Sequence, residues 1–140
     1  TAETSLDFNM SVDTGSNYDA VAKTIIFFRA NHREDDGSAD FAYRTSEDLA
    51  QGTGFQVLSA VNGAGNDEAL SGTLTLFGPS STTFVKHFTA QSNAYQIEQD
   101  ISNHSLLAGM GNTTSAVDAI QFKMTSGNID AGTISLYGIT

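Results

Sequence analysis

The feature that most restricts the fold of this chain is a strict alternation of apolar and polar residues in short segments. The first segment shows it on both sides of the chain: Leu6, Phe8, Met10 and Val12 alternate with Asp7, Asn9, Ser11 and Asp13. Because successive side chains of a strand point to opposite faces, this period of two predicts a β-strand with one buried face.

Other short segments repeat this pattern and end at turn-forming residues. The further predicted strands are 21–29, 41–45, 55–60, 70–77, 84–89, 120–125 and 133–138. The run Ile25–Phe28 is apolar on both faces, which predicts a strand in the middle of a sheet that is covered above and below. The segments 95–101 and 104–110 fit either a strand or a helical turn.

Eight or so strands without a long helix predict an all-β chain, specifically an antiparallel β-sandwich of jelly-roll type, with a barrel as the alternative. Charged residues make up only 16% of the chain, which is typical of such folds and unlike a helical bundle. A length of 140 residues without an evident linker predicts one domain, residues 1–140.

The charge balance argues against nucleic acid and anionic membranes as partners. The formal net charge is −10, and the six basic residues are scattered along the chain: Lys23, Arg29, Arg33, Arg44, Lys86 and Lys123. A phosphate backbone is bound by clustered basic residues. No apolar run approaches the roughly 18 residues of a spanning helix.

The sequence contains no recognisable catalytic motif, and we predict a non-enzymatic protein without catalytic, cofactor-binding or metal-binding residues. Cysteine is absent, and so are the G-x-S-x-G, H-E-x-x-H and P-loop patterns. His32, His87 and His104 lie in different segments and are expected to be surface residues. The alternative is that they converge in space to bind a metal ion, as at some trimer axes.

Two acidic segments invite comparison with calcium sites but lack the register of a calcium loop. The segment Glu34–Gly37, with Asp40 nearby, ends in Asp-Gly and predicts a solvated hairpin tip. The loop from Asn62 to Glu68 has the same interpretation.

Exposed aromatic residues would indicate a carbohydrate site, and only Tyr18, Tyr95 and Tyr137 fall outside the alternating core positions. The patterns beginning at Asn9, Asn103 and Asn112 fit a glycosylation acceptor, and such matches are expected by chance in a chain rich in Asn, Ser and Thr.

Two segments repeat each other almost position by position. Gly72–Gly78 reads Gly-Thr-Leu-Thr-Leu-Phe-Gly, and Gly132–Gly138 reads Gly-Thr-Ile-Ser-Leu-Tyr-Gly. Convergence on a favourable strand between two turns explains the repeat, and duplication of a structural unit is the alternative.

The last part of the chain, Ala119–Ile139, resembles the closing hairpin of a β-sandwich module that recurs in tailed-phage virion proteins. In that module an alternating strand runs into a Ser-Gly-Asn turn, here Ser126-Gly127-Asn128, and the chain closes on the pattern Gly-Thr-Ile-x-Leu-Tyr-Gly. On this basis Ile134 and Leu136 are expected to face the core and to pair with Ile120, Phe122 and Met124. A more general likeness covers most of the chain.

The resemblance implies a virion structural protein on the phage particle surface. We expect a capsid decoration (cement) protein that forms a homotrimer and contacts the major capsid protein. The alternative is a tail-fibre or receptor-binding head module whose further partner is a host-surface glycan. The signature is structural, so no functional residue is carried across.

Overall fold

The computed structural model describes residues 4–62, 68–96 and 100–139. Eight strands account for its regular structure: β1 Thr4–Ser11, β2 Lys23–Arg33, β3 Ala39–Tyr43, β4 Gln56–Asn62, β5 Leu70–Leu76, β6 Lys86–Gln96, β7 Ile101–Gly111 and β8 Ala119–Met124. The predicted all-β class and number of strands are confirmed.

The strands form two antiparallel sheets. One sheet has three strands in the order β4-β1-β8, and the other has five in the order β3-β2-β7-β6-β5. Strand β1 pairs with β8, and β2 pairs with β7, so that early strands are paired with late ones as in jelly-roll chains. Two separate sheets make a sandwich rather than the alternative barrel.

The hydrophobic core lies between the two sheets and takes side chains from both. Phe8 and Met10 of β1 meet Ile25 and Phe27 of β2 and Phe88 of β6. The rings of Phe8 and Phe88 are in edge contact, with centroids 5.1 Å apart. These are the positions that the period-two alternation selects, so the sequence pattern identifies the core correctly.

The two segments that fitted either a strand or a helical turn lie mainly in the long strands β6 and β7. Of the remaining residues, 97–99 lie outside the described residues and Asp100 forms a turn. Buried and more exposed side chains alternate along β6, but three of its buried residues are polar: Lys86, Ser92 and Gln96. Buried polar residues at inward positions hide the alternation that a hydropathy pattern detects.

The hairpin predicted at Asp36-Gly37 is confirmed, since β2 and β3 pair on either side of it. Its positive φ, however, belongs to Asp36 at 58°. Aspartate tolerates the left-handed region better than most residues because its short polar side chain forms local hydrogen bonds.

Two predictions about covered faces are wrong. The polar row of β1 was expected to face solvent, but Asp7, Asn9 and Ser11 are buried, and the Asn9 amide donates to Thr53 O at 3.0 Å. The connection that contains Thr53 therefore lies against this face. Conversely, β2 was expected to be covered on both sides, but Ile26 on its outer side is 51% exposed.

The predicted closing strand, Thr133–Gly138, is also wrong. Residues 132–139 form no strand, and no described strand pairs with β8 except β1. Gly127 at φ 76° supplies the predicted turn, and a second positive φ of 134° follows at Gly132. The chain therefore does not return along β8, and Ile134 and Leu136 do not reach Ile120, Phe122 and Met124.

Candidate functional site

The exposed C-terminal segment, residues 127–139, is the most distinctive surface of the molecule, and we call it the C-terminal arm. The chain is held up to its start: Thr125 N donates to Ser5 O at 2.9 Å, and Ser126 N donates to Thr4 Oγ1 at 3.2 Å. Beyond this point, no residue of the arm forms a hydrogen bond with another described residue.

The arm exposes large apolar side chains. Leu136 is 84% exposed, Tyr137 81% and Ile139 93%, and Ile129 and Ile134 are also exposed. Burying an apolar side chain of this size stabilises a protein by roughly 1.5–3 kcal/mol, and these residues gain little of that within their own chain. A sequence with the pattern of a strand thus lies in solvent.

The free edge of β8 lies immediately before the arm. Strand β8 pairs with β1 from Leu6↔Met124 to Ser11↔Ala119, and its other edge has no partner among the described residues. Its inward side chains, Ile120 and Phe122, pack against the core but remain half-buried. The edge therefore offers both unpaired backbone groups and incompletely covered apolar groups.

The outer face of the five-stranded sheet is a second uncovered apolar surface. Phe28 stacks on Phe41 with ring centroids 5.5 Å apart and meets Tyr43 edge-on at 5.2 Å. Phe41 and Tyr43 are exposed. Exposed aromatic groups on a sheet are a common feature of protein and ligand contacts.

A concavity of about 440 Å³ lies on this same face. Its apolar half is formed by Ile26, Phe28, Leu106 and Ala108 of β2 and β7. Its polar half is formed by Thr73, Thr75, Thr89 and Gln91 of β5 and β6. A shallow surface with an apolar side and hydroxyl and amide groups opposite has the chemistry to contact a sugar ring or a peptide.

The three histidines do not come together in one place. His32 and His104 are on neighbouring strands, opposite Ser102 and Ala30 respectively, whereas His87 lies opposite Met110 near the other end of the sheet. Among the described residues, no group of three or more His, Cys, Asp or Glu could hold a metal ion.

The acidic segment Glu34–Asp36 is an exposed hairpin tip, as predicted. Two of its carboxylates have partners on the hairpin itself: Asp35 accepts from Gly37 N at 2.8 Å, and Asp36 contacts His32 Nε2 at 3.0 Å. In the loop from Asn62 to Glu68, residues 63–67 lie outside the described residues.

Of the three tyrosines singled out from the sequence, Tyr137 lies in the arm, and Tyr18 and Tyr95 are half-buried. Two of the three glycosylation-pattern asparagines, Asn9 and Asn103, are buried. Neither set forms a common site.

Two fully buried lysines are features that the sequence analysis did not identify. Lys23 Nζ donates to Asn9 Oδ1 at 2.6 Å and to Val21 O at 3.1 Å, and burial lowers the pKa of this amine to about 8. Lys86 Nζ donates to Phe84 O at 2.7 Å. Each lysine is two residues from a core residue, Ile25 or Phe88, and so points to the same inward face of its strand. This spacing in the sequence could have identified both lysines as buried.

Comparison with known proteins gives no further guide to the site: no family model, no curated protein and no solved structure matches this chain. The described residues also include no helix long and apolar enough to cross a membrane. The class that the fold defines is therefore a two-sheet antiparallel β-sandwich with an unpaired apolar arm.

Proposed function

We propose that this chain is a non-enzymatic structural subunit of a phage virion, and specifically a capsid decoration protein that self-associates on the surface of the head. The observation that carries the proposal is the C-terminal arm, which presents Ile134, Leu136 and Ile139 to solvent. Exposed apolar groups of this size mark protein interaction sites. An arm held in an assembly gains the burial that the isolated subunit does not provide.

The proposed partners are further copies of this chain, as a homotrimer, and the major capsid protein. Each copy offers two kinds of contact surface: the arm at one end and the uncovered apolar face around Phe28 and Phe41. A subunit with two separate surfaces can contact its own copies with one and a supporting lattice with the other. The sequence of Ala119–Ile139 resembles that of a phage virion module, and this likeness supports the location although the closing hairpin of the module does not form within this chain.

A second candidate function, a tail-fibre or receptor-binding head module, is favoured by the concavity on the outer sheet face. The apolar groups of Ile26 and Phe28 face the polar groups of Thr75 and Gln91 across it. A host-surface glycan combines an apolar ring face with hydroxyl groups and would match both halves. In this case the arm would hold the head module to its own copies.

Cryo-electron microscopy of the source particle tests the proposal. We expect this chain on the head lattice, in hundreds of copies per particle. A location at the tail in tens of copies or fewer would contradict the decoration role and favour the receptor-binding module. Absence from the particle would contradict both.

A glycan array tests the second candidate directly. Gln91→Ala should abolish a genuine signal because it removes a hydrogen-bonding group from the concavity, whereas Ser71→Ala, which is exposed on the neighbouring strand, should leave the signal unchanged. A signal that survives Gln91→Ala would exclude the concavity as the glycan site.

A further inference from the structure

We infer that the C-terminal arm of one copy adds as a strand to the free edge of β8 in a second copy. This inference rests on the self-association part of the proposed function and names the interface that produces it. The partner is another copy of this chain, and the contact is a main-chain ladder supported by a row of apolar side chains.

The arm has the sequence of a strand that pairs with something. Ile134 and Leu136 alternate with Thr133, Ser135 and Tyr137, so one face is apolar and the other contains mainly hydroxyl groups. The same pattern at positions 73–77 forms strand β5 and continues just beyond it, with Leu74 and Leu76 packed against the core. The sequence of the arm is therefore suited to a strand. What the arm lacks is a neighbouring strand to pair with and an apolar surface to cover.

The edge of β8 supplies what the arm lacks. Its backbone has no ladder partner on that side among the described residues, and its inward residues Ile120, Phe122 and Met124 are only half-buried. A strand added there would extend the three-stranded sheet to four, and its inward residues would continue the row begun by Phe122. The apolar side chains of the arm lie beside those of β8 only if Ile134 and Leu136 point inward, because a shift of one residue would turn them to the other face.

The arm does not pair with β8 of its own chain, since residues 132–139 form no strand, and this favours a second copy as its partner. Tight hairpins use two to five connecting residues, whereas residues 125–132 separate β8 from Thr133. The part beyond the anchored Ser126, residues 127–132, spans up to roughly 20 Å at about 3.3–3.6 Å per residue. Exchange of identical elements between copies is a low-cost route to an oligomer because it reuses a contact that the chain already encodes.

Two other surfaces are candidate acceptors for the arm, and each would place the arm next to different residues. The edge of β5 carries inward leucines and exposes Thr73, and the concavity on the outer face exposes Gln91. We favour β8 because the arm emerges from the end of that strand. In a homotrimer each copy donates its arm to the next copy and accepts the arm of the previous one, and this head-to-tail contact closes into a ring.

Disulfide trapping between singly substituted full-length chains tests the acceptor. The chain has no cysteine, so each variant contains one unique thiol. Ser135→Cys places the thiol on the hydroxyl face of the arm, and Gln121→Cys or Lys123→Cys places it on the same face of β8. A disulfide requires Cα atoms about 4.4–6.8 Å apart, so only strands in direct register are trapped.

When the Ser135→Cys chain is mixed in equal amounts with the Gln121→Cys or the Lys123→Cys chain, a covalent heterodimer should form. The matched controls, Thr73→Cys and Gln91→Cys, should remain at background. Trapping with Thr73→Cys or Gln91→Cys instead would overturn β8 as the acceptor while leaving self-association, and hence the proposed function, intact.

Sedimentation of two charge variants tests whether the arm contributes to assembly. Leu136→Asp places a carboxylate in the apolar row and should weaken self-association by at least about 100-fold. Ile129→Asp adds the same charge to the connection before the predicted strand and should change it by less than about fivefold. Since both residues are exposed, neither substitution is expected to disturb the subunit fold.

Removal of residues 128–140 separates the remaining outcomes. Conversion of an oligomer into monomers supports the inference. An oligomer that survives the truncation would overturn arm exchange but not self-association. An intact chain that remains monomeric at every concentration, and is absent from the particle, would overturn both this inference and the proposed function.

Discussion

The segments Gly72–Gly78 and Gly132–Gly138 have nearly the same sequence and opposite structural states. The first forms most of β5, is paired with β6 from Gly72↔Ser92 to Leu76↔Phe88, and packs Leu74 and Leu76 against the core. The second has no strand partner and leaves Leu136 84% exposed. The difference does not lie in local propensity, because the two segments alternate in the same way.

The neighbours of each segment account for the difference. Strand β6 follows β5 after the connection 77–85 and offers an edge with the buried residues Phe88 and Ala90. Before the arm, the chain offers the edge of β8, but no described strand pairs with the arm. β-propensity mainly reflects how well side chains pack on neighbouring strands, so the same residues form a strand only where an edge is presented to them.

Exchanging one glycine of each segment for valine should give the largest contrast. A Cβ at Gly72 would lie 2.5 Å from Gln91 O, a backbone atom that cannot move alone. Gly72→Val should therefore lower the free energy of unfolding by about 3 kcal/mol, as measured by urea denaturation of dilute protein.

The matched variant in the arm is Gly138→Val, where an added Cβ meets no neighbouring atom within 4 Å. Gly132 is unsuitable as the control because its φ of 134° would strain any residue with a Cβ. Gly138→Val should change the free energy of unfolding of the isolated subunit by less than about 0.5 kcal/mol. A large loss at Gly138 would show that the arm is packed in the isolated subunit and would remove the contrast between the two segments.

Shortening the corresponding leucines should separate folding from assembly. Leu76 is half-buried against the core, so Leu76→Ala should cost about 2 kcal/mol of unfolding free energy. Leu136→Ala should leave that free energy unchanged and instead weaken self-association by about tenfold, equivalent to about 1.4 kcal/mol. Denaturation and sedimentation of the same two variants give both values, and equal effects on unfolding would contradict the assignment.

A comparison of β1 with β6 and β7 shows how much of the fold can be predicted from the sequence. Alternation at Leu6, Phe8 and Met10 identified β1 and its core face because burial on that face follows hydrophobicity. Alternation did not resolve β6 and β7, where Ser92, Asn103 and Ser105 occupy buried positions. Their polar groups are accommodated by hydrogen bonds such as Ser92 Oγ to Leu58 O at 2.8 Å, which no hydropathy pattern contains.

The sequence predicted a strand at Thr133–Gly138, and the unpaired state of this segment was not predictable. Strand formation depends on an available edge, and the position of an edge is a property of the folded chain or of its neighbours. The outer face around Ile26 was misjudged for a similar reason: apolar residues indicate that a surface is to be covered, but not by which chain.

Raising the pH should stabilise the sandwich and leave the arm contact nearly unchanged. Burial holds the folded-state pKa of Lys23 at about 8, below its ordinary value of 10.5. The unfolded chain therefore binds more protons than the folded chain between these values, and stability rises with pH there. From pH 7 to 9 we expect a gain of about 1 kcal/mol from this residue.

The control is Lys23→Met, in which this part of the pH dependence should disappear, as judged by urea denaturation at each pH. Self-association should change much less over the same range, because the arm's only ionisable side chains are Asp130 and Tyr137. A fall in stability of the unmodified chain relative to Lys23→Met would contradict the assignment to this amine.

The smallest effect is expected when the two sequences are exchanged. Placing the arm's residues in β5 requires Leu74→Ile, Thr75→Ser and Phe77→Tyr, of which only the first changes an inward side chain. Volume-conserving changes of this kind are well tolerated, so the chimera should lose only about 0.5 kcal/mol of unfolding free energy. The reciprocal chimera, with the β5 residues in the arm, should still self-associate within a few-fold of the original affinity. If either segment failed in the other's place, the difference between them would lie in their own side chains, and the availability of an edge would no longer explain why one is a strand and the other an arm.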